Sequence, residues 1–204
     1  MANIYWDNFY KKFNLTKPSL FARFALKKLK KNSSLLEVGC GNGRDTFFFL
    51  KNKIRCTAYD ISKTAINKNR KIYNKVFYTR NICKKQSKLS HNYFDSIYAR
   101  FFLHAINENQ QKYFFQNSYS MLKKNGSLYL EFRTINDILF KKGKKLSHNE
   151  RITSHYRRFI DPPDLLKELK INFNFRVIYC KSSTKFAIYK TQKPHVCRLI
   201  LKKI

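Results

Sequence analysis

The sequence predicts an α/β fold, a parallel sheet with helices on both faces, and three observations point to it. Apolar, strand-like runs alternate with helix-like segments along most of the 204 residues, the order that builds a parallel sheet covered on both sides. A glycine-rich turn joins the first strand-like run to a helical one. The second run then ends in an acid about twenty residues past the turn, the spacing at which a carboxylate meets a ribose in nucleotide-binding βαβ units.

The elements follow in chain order. Pro18 at a helix start and the apolar spacing after it predict a helix over 19–31. Strands are expected at 34–38, 55–59, 76–79, 94–98, 126–132, 174–180 and 195–202, with further helices at 44–52, 62–73, 107–123 and 162–170. Residues 135–158 fit neither pattern and carry Lys141, Lys142, Lys144, Lys145, Arg151, Arg157 and Arg158. Long irregular segments in compact domains are usually functional, and this one follows the fifth strand, at the carboxyl edge where open α/β sheets bind ligands. No repeat, low-complexity linker or composition shift divides the chain, so one domain over 1–204 is expected.

Composition narrows the function classes. No apolar run approaches the roughly eighteen residues of a membrane span, and the first ten residues lack the apolar core of a signal peptide, which predicts a cytoplasmic protein. Five cysteines, odd in number and without a Cys-x-x-Cys pair, argue against a disulfide framework or a structural zinc site, and no metal is expected. The formal net charge of +31 points to anionic partners: nucleic acid, phosphorylated metabolites or anionic glycans. Lys, Asn, Ile, Phe and Tyr are all frequent, as in AT-rich coding sequence, so part of that charge reflects composition. Against this background the 12 acids are informative, and Glu37, Asp60, Asp95 and Glu131 all stand at or beside expected strand ends. Nothing in the sequence specifies an oligomeric state.

The most specific stretch is Glu37-Val38-Gly39-Cys40-Gly41-Asn42-Gly43-Arg44, where three of the five glycines fall within five residues. Glycines let the backbone turn tightly and approach a ligand without a Cβ in the way. An ordinary strand-turn-helix corner would use the same residues, so context decides. The spacing is not the dinucleotide form Gly-x-Gly-x-x-Gly, an acid precedes the first glycine, and Asp60 closes the next strand.

This set resembles the class I S-adenosylmethionine-dependent methyltransferases, and the resemblance runs in order through nearly the whole chain. It implies a seven-stranded, Rossmann-like sheet ending in an antiparallel hairpin, with S-adenosylmethionine as cofactor and S-adenosylhomocysteine as product. It also implies roles for particular residues. Gly39, Gly41 and Gly43 would admit the methionine part, with Glu37 and Arg44 flanking the loop. Asp60 would accept the ribose hydroxyls and Ile61 would pack on the adenine. Asn81 and Ile82 would meet the adenine edge, Asn81 standing where the family usually has an acid. Arg100 would meet the cofactor carboxylate or the acceptor. The segment over 1–31, with Trp6 in it, would fold over the cofactor as a lid, and 135–160 would face the acceptor.

Acceptor chemistry is expected from His104, Glu131 and His155 as possible bases, and from Arg133, Arg157 and Arg158 as a cationic pocket. Arginine forks match phosphate or carboxylate oxygens in pairs. A structural histidine and a simple Glu–Arg pair are the alternative readings of the same residues. The Trp-Asp-x-Phe-Tyr start and the blocks at 100–106, 131–134 and 155–159 resemble small bacterial methyltransferases encoded among surface-polysaccharide genes, some of which act on sugars or O-methyl phosphoramidate decorations. That resemblance implies O-methylation of a small phosphorylated compound or glycan decoration in capsule biosynthesis. An RNA methyltransferase, a thiol or metalloid methyltransferase and a non-catalytic cofactor-binding protein are the competing readings. Nucleic acid is the second choice of partner: the charge favours it, but no Asn-Pro-Pro-Tyr-type motif follows the fourth strand, and no RNA-binding module is appended.

Overall fold

A computed structural model describes residues 2–12, 16–85, 91–189 and 191–204. Helices α1 (Ala2–Lys12) and α2 (Leu20–Leu26) precede β1 (Ser34–Val38), α3 (Arg44–Lys51), β2 (Arg55–Asp60), α4 (Lys63–Ile72), β3 (Phe77–Thr79) and β4 (Phe94–Arg100). Then come α5 (Glu108–Met121), β5 (Leu122–Arg133), the short β6 (Lys144–Lys145), β7 (Glu150–Ile152) and β8 (Tyr156–Arg158), α6 (Pro162–Asn172), β9 (Phe175–Ser183) and β10 (Val196–Lys203). Seven strands form one sheet in the order β3-β2-β1-β4-β5-β10-β9. The first five run parallel, and β10 lies antiparallel to both β5 and β9. The strand order reverses between β1 and β4, which makes their carboxyl ends the place for a ligand.

Local chemistry sets the helix starts. Ser19 and Ser62 cap α2 and α4 by accepting backbone N–H groups with their side chains, Asn107 and Gln110 form a reciprocal capping box on α5, and prolines open α6. The expected helix over 19–31 stops at Leu26. The residues beyond it include Lys27, Lys28, Lys30 and Lys31, and like charges three and four apart oppose a helix.

Strict alternation along the strands divides the core. Leu36, Val38, Ile97, Leu128 and Leu130 pack with Phe114 and Phe115 of α5 and Leu165 and Leu169 of α6. Leu35, Tyr98, Tyr129 and Ile200 pack on the other face with Phe21 of α2 and Phe49 of α3. One row of this second face is charged: Arg100 of β4, Glu131 of β5 and Arg198 of β10 are register partners across three adjacent strands.

The segment after β5 is more ordered than its composition suggests. Residues Ile138–Lys141 make a 3-10 turn, and β6, β7 and β8 form a small antiparallel sheet. With strands of two or three residues, no alternation is long enough to read from sequence.

Candidate active site

The glycine loop follows β1 with all three glycines in left-handed conformation, at φ of +72°, +51° and +73° for Gly39, Gly41 and Gly43. Side chains rarely adopt such angles, and at Gly41 a Cβ would also lie 2.2 Å from the Tyr10 hydroxyl oxygen. Asp60 braces the loop: one carboxylate oxygen accepts the Gly41 N–H at 2.8 Å and the other the Ser62 N–H at 2.9 Å. Burial raises the Asp60 pKa while those N–H groups pull it down. Glu37 is buried under the loop and accepts the Thr46 hydroxyl. Burial, with the charge of Asp45 second, holds Glu37 well above the usual carboxylate range. The half-buried Arg44 opens α3, with burial and then the Arg100 charge lowering its pKa. Ile61 is half-buried beside Asp60, Asn81 turns its side-chain oxygen to the Cys83 N–H at 2.8 Å, and Ile82 lies in the core.

Helix α1 lies over this loop. Asp7 accepts the Ser62 hydroxyl at 2.6 Å and the Thr64 N–H at 3.0 Å, and Lys68 donates to the carbonyls of Tyr10 and Lys11. Tyr10 sets its hydroxyl against Gly41, and burial followed by the Asp60 charge raises its pKa. Trp6 stacks on Tyr10 and meets the His155 ring edge-on at 5.4 Å.

Arg100, Glu131, His104, Arg133, His155 and Arg157 gather at the carboxyl ends of β4 and β5 and on β8. Both Glu131 oxygens are committed, one to Arg100 Nε at 3.0 Å and the other to Arg198 Nε at 2.8 Å. Burial is the largest influence on Arg100 and works against its charge, but Glu131, Tyr98 and Asp45 together outweigh it and the Arg100 pKa is raised. Phe101 follows in a left-handed conformation (φ +54°) that is strained for a bulky residue. Its N–H reaches the Glu131 carbonyl at 2.7 Å, and its ring lies between the Arg100 and Arg133 guanidiniums, 4.1 and 5.6 Å from its centre. Arg133 pairs with Asp137 through Nη1 at 2.7 Å, while its buried Nε has no hydrogen-bond partner among the described residues.

Both histidines of this group have lowered pKa values, which favours the neutral ring at pH 7. His104 is buried, and burial, then the charges of Arg133 and Arg157, hold its pKa well below the ordinary value. His155 is pushed down to about 4 by burial and by Arg157 and Arg133. Their hydrogen bonds fix the tautomers. The Arg133 backbone N–H reaches His104 Nδ1 at 3.4 Å, so the His104 proton sits on Nε2. Arg157 donates to His155 Nε2, so that ring carries its proton on Nδ1, 2.7 Å from the Tyr5 hydroxyl. Arg158 does not join this group: its guanidinium reaches the Ile106 carbonyl at 3.1 Å and the Gln111 side chain, tying β8 to α5.

Several residues here escaped the sequence reading. Tyr5, Tyr10 and Asp7 lie in or beside the Trp-Asp-x-Phe-Tyr block, where their partners could not be read. Asp45 joins α3 to α2, accepting the Ser19 N–H, the Ser19 hydroxyl and the Tyr98 hydroxyl at 2.7 to 2.9 Å. The scarcity of acids was a signal for Asp45 and for Asp137, though neither stands at a strand end.

Residues 36–128 match the family model described as a methyltransferase domain. That match spans just under half of the chain and marks the stretch from β1 into β5 as similar to a methyltransferase domain. Among curated proteins none matches the sequence. Solved structures share the fold of this chain. A Methanosarcina mazei structure described as a SAM-dependent methyltransferase aligns with a TM-score of 0.75 at 16% identity, over 89% of this chain and 97% of that one. A protein from Pyrococcus horikoshii aligns with a TM-score of 0.76 at 14% identity, over 97% and 99%. A phosphoethanolamine N-methyltransferase from Haemonchus contortus, solved with phosphoethanolamine and S-adenosylhomocysteine, aligns with a TM-score of 0.76 at 13% identity, over all of this chain and 48% of that one. Among the described residues, no helix is long and apolar enough to cross a membrane, and no cluster of His, Cys, Asp or Glu could hold a metal ion.

The residues present fit S-adenosylmethionine. At Gly41 the missing Cβ makes room for the Tyr10 hydroxyl, so the place for the cofactor is marked by Asp60 at the carboxyl end of β2 rather than by an open space at that glycine. A carboxylate has about four acceptor positions; the Gly41 and Ser62 N–H groups, with that of Ile61 also directed at Asp60, leave one for a ribose hydroxyl.

Proposed function

We propose that this methyltransferase modifies an anionic oxygen of a small phosphorylated or phosphoramidate compound, free or as a surface-glycan decoration. The observation that carries the reading is the buried Nε of Arg133, which has no partner among the described residues, near Arg157 and two histidines with lowered pKa. A buried donor without a partner is costly, and an acceptor oxygen there would satisfy it.

S-adenosylmethionine supplies an electrophilic methyl carbon on a sulfonium. Gly39, Gly41, Gly43, Glu37 and Asp60 hold it, with Ile61, Asn81 and Ile82 at the adenine, while Trp6 and Tyr10 on α1 cover the loop and exclude water. Displacement at that carbon needs the attacking oxygen held in line, so positioning does most of the work. The residues present favour an oxygen that is already ionised. Glu131 is committed to two guanidiniums and acts as a positioning residue for Arg100. His104 offers Nε2–H as a donor and is a poor proton acceptor at neutral pH. His155 spends Nε2 on Arg157. Arg133 and Arg157 neutralise and orient the acceptor, and Arg158 holds β8 in place.

The Haemonchus enzyme was solved with phosphoethanolamine on this fold, which supports a small phosphate-bearing substrate; by its name that enzyme methylates nitrogen, so the choice of oxygen rests on the arginines and histidines here. The formal charge of +31 favours a second one, RNA. Transfer of a tritiated methyl group from S-adenosylmethionine into fractionated cell extract separates them. Label in small anionic or polysaccharide material is expected, and label lost on RNase treatment would replace this reading by the second.

A further inference from the structure

Beyond the acceptor pocket, we propose a second anion site between α2 and the 184–195 connection, and that it takes a compact diphosphate. A cavity of about 270 Å³ lies there, lined by Arg23, Lys27, Lys185 and Arg198 together with Phe24 and Phe186. No acidic residue lines it. Arg23 and Lys27 stand one helical turn apart, and Lys185 comes from the other wall.

Arg198 makes this a built site rather than a basic patch. It is buried, and its guanidinium lies 5.4, 5.0 and 4.4 Å from the ring centres of Phe21, Phe24 and Phe186. Packed among these rings, the guanidinium has its edge for a ligand. Of its five N–H groups, Nε holds Glu131 and one on Nη2 holds the Phe186 carbonyl, both at 2.8 Å. The other three make no hydrogen bond among the described residues. An edge-on guanidinium fork is the geometry that receives two phosphate oxygens.

Charge and size choose between phosphates. Arg198 has Glu131 behind it, but Arg23, Lys27 and Lys185 face the cavity with no acid in its lining, and a ligand with several negative charges relieves more of their mutual repulsion than a monophosphate does. The volume falls just below the roughly 300–1,000 Å³ of sites for drug-sized ligands, which favours pyrophosphate or the diphosphate end of a nucleotide.

Calorimetry on the full chain with inorganic pyrophosphate tests the proposal. Arg157→Ala serves as the background, so that binding in the acceptor pocket does not obscure the cavity. Pyrophosphate is expected to bind this variant at least ten-fold more tightly than inorganic phosphate. Adding Arg23→Glu and Lys185→Glu, both at exposed positions, should weaken it at least ten-fold with S-adenosylmethionine affinity unchanged. Reversing Lys71 and Lys75 instead, exposed cations elsewhere, should leave it as it was. Equal affinity in the Arg23→Glu, Lys185→Glu variant, equal binding of phosphate and pyrophosphate, or an equal loss in the Lys71, Lys75 control would each overturn the site. The acceptor reading is tested separately, through the effect of Arg157→Ala on methyl transfer. ADP competing with pyrophosphate would assign the ligand to nucleotides, and failure to compete would assign it to inorganic diphosphate.

Discussion

The two halves of the proposed active site, one assigned to the cofactor and one to the acceptor, are built from different material. The cofactor half is mostly backbone: three left-handed glycines, the N–H groups of Gly41 and Ser62, and one carboxylate joining them. The acceptor half is mostly side chain, brought from β4, β5, β8 and α1 over more than a hundred residues of sequence. Backbone geometry is set by a short run of residues and tolerates little change. Side-chain clusters depend on each partner's position, so their chemistry varies while the fold stays the same. That contrast fits a fold shared over most of this chain with solved structures at 13 to 16% identity.

The largest effect is expected where the halves meet. Glu131→Ala would leave the Arg100 and Arg198 guanidiniums facing each other in the sheet, and breaking a buried pair this way costs about 3–5 kcal/mol. Denaturant unfolding should show a loss of that size. Glu131→Gln sharpens the point: it should lower stability but leave the acidic limb of the rate–pH profile in place. A profile that lost that limb would make Glu131 a base. Next comes the cofactor half. Asp60→Ala releases the backbone N–H groups it holds and removes the ribose acceptor, so S-adenosylmethionine binding should weaken by about 1.5–3 kcal/mol, the range for hydrogen bonds to charged groups. Unchanged affinity by calorimetry would end the ribose assignment. In the acceptor half, Arg157→Ala should raise the acceptor KM about ten-fold or more, on the same scale of a charged hydrogen bond, with cofactor affinity preserved. A loss of both affinities together would mean that the halves are not separable.

The same division governs what could be read from the sequence. The expected seven strands all form within a few residues of their expected bounds, because each is an apolar run closed by a turn. The longest discrepancy is β5, which starts at Leu122 rather than 126 because Leu122 pairs with Phe94 ahead of an irregularity, after which the regular register resumes at Ser127. The glycine loop and Asp60 were legible because one short stretch and one spacing specify them. The Arg100–Glu131–Arg198 row was not, because its partners lie on three strands and only register aligns them. Nor was the contact between α1 and β8, since Tyr5 and His155 are 150 residues apart.

That long-range contact carries the smallest expected effect and the sharpest pH signature. Tyr5 joins α1 to His155, and α1 covers the glycine loop, so this bond links the two halves. His155 has a pKa pushed from 6.5 down to about 4 with α1 in place. With α1 displaced, the imidazole regains solvent and its pKa rises toward the ordinary value, held somewhat below it by the Arg157 and Arg133 charges, which do not leave with α1. Between those limits the open form binds more protons, so closure is fully favoured above about pH 6.5 and is lost as pH falls toward 4. Trp6, the only tryptophan, lies against the His155 ring and reports the change by fluorescence. A transition in that window is expected in the native protein and absent in His155→Gln. Tyr5→Phe keeps the ring but removes the hydroxyl, which should weaken closure by about 0.5–1.5 kcal/mol, the net value of a neutral hydrogen bond, and move the midpoint to higher pH. A midpoint unmoved by either change would show that α1 is held by Asp7 and Lys68 alone, and that the acceptor half closes independently of the cofactor half.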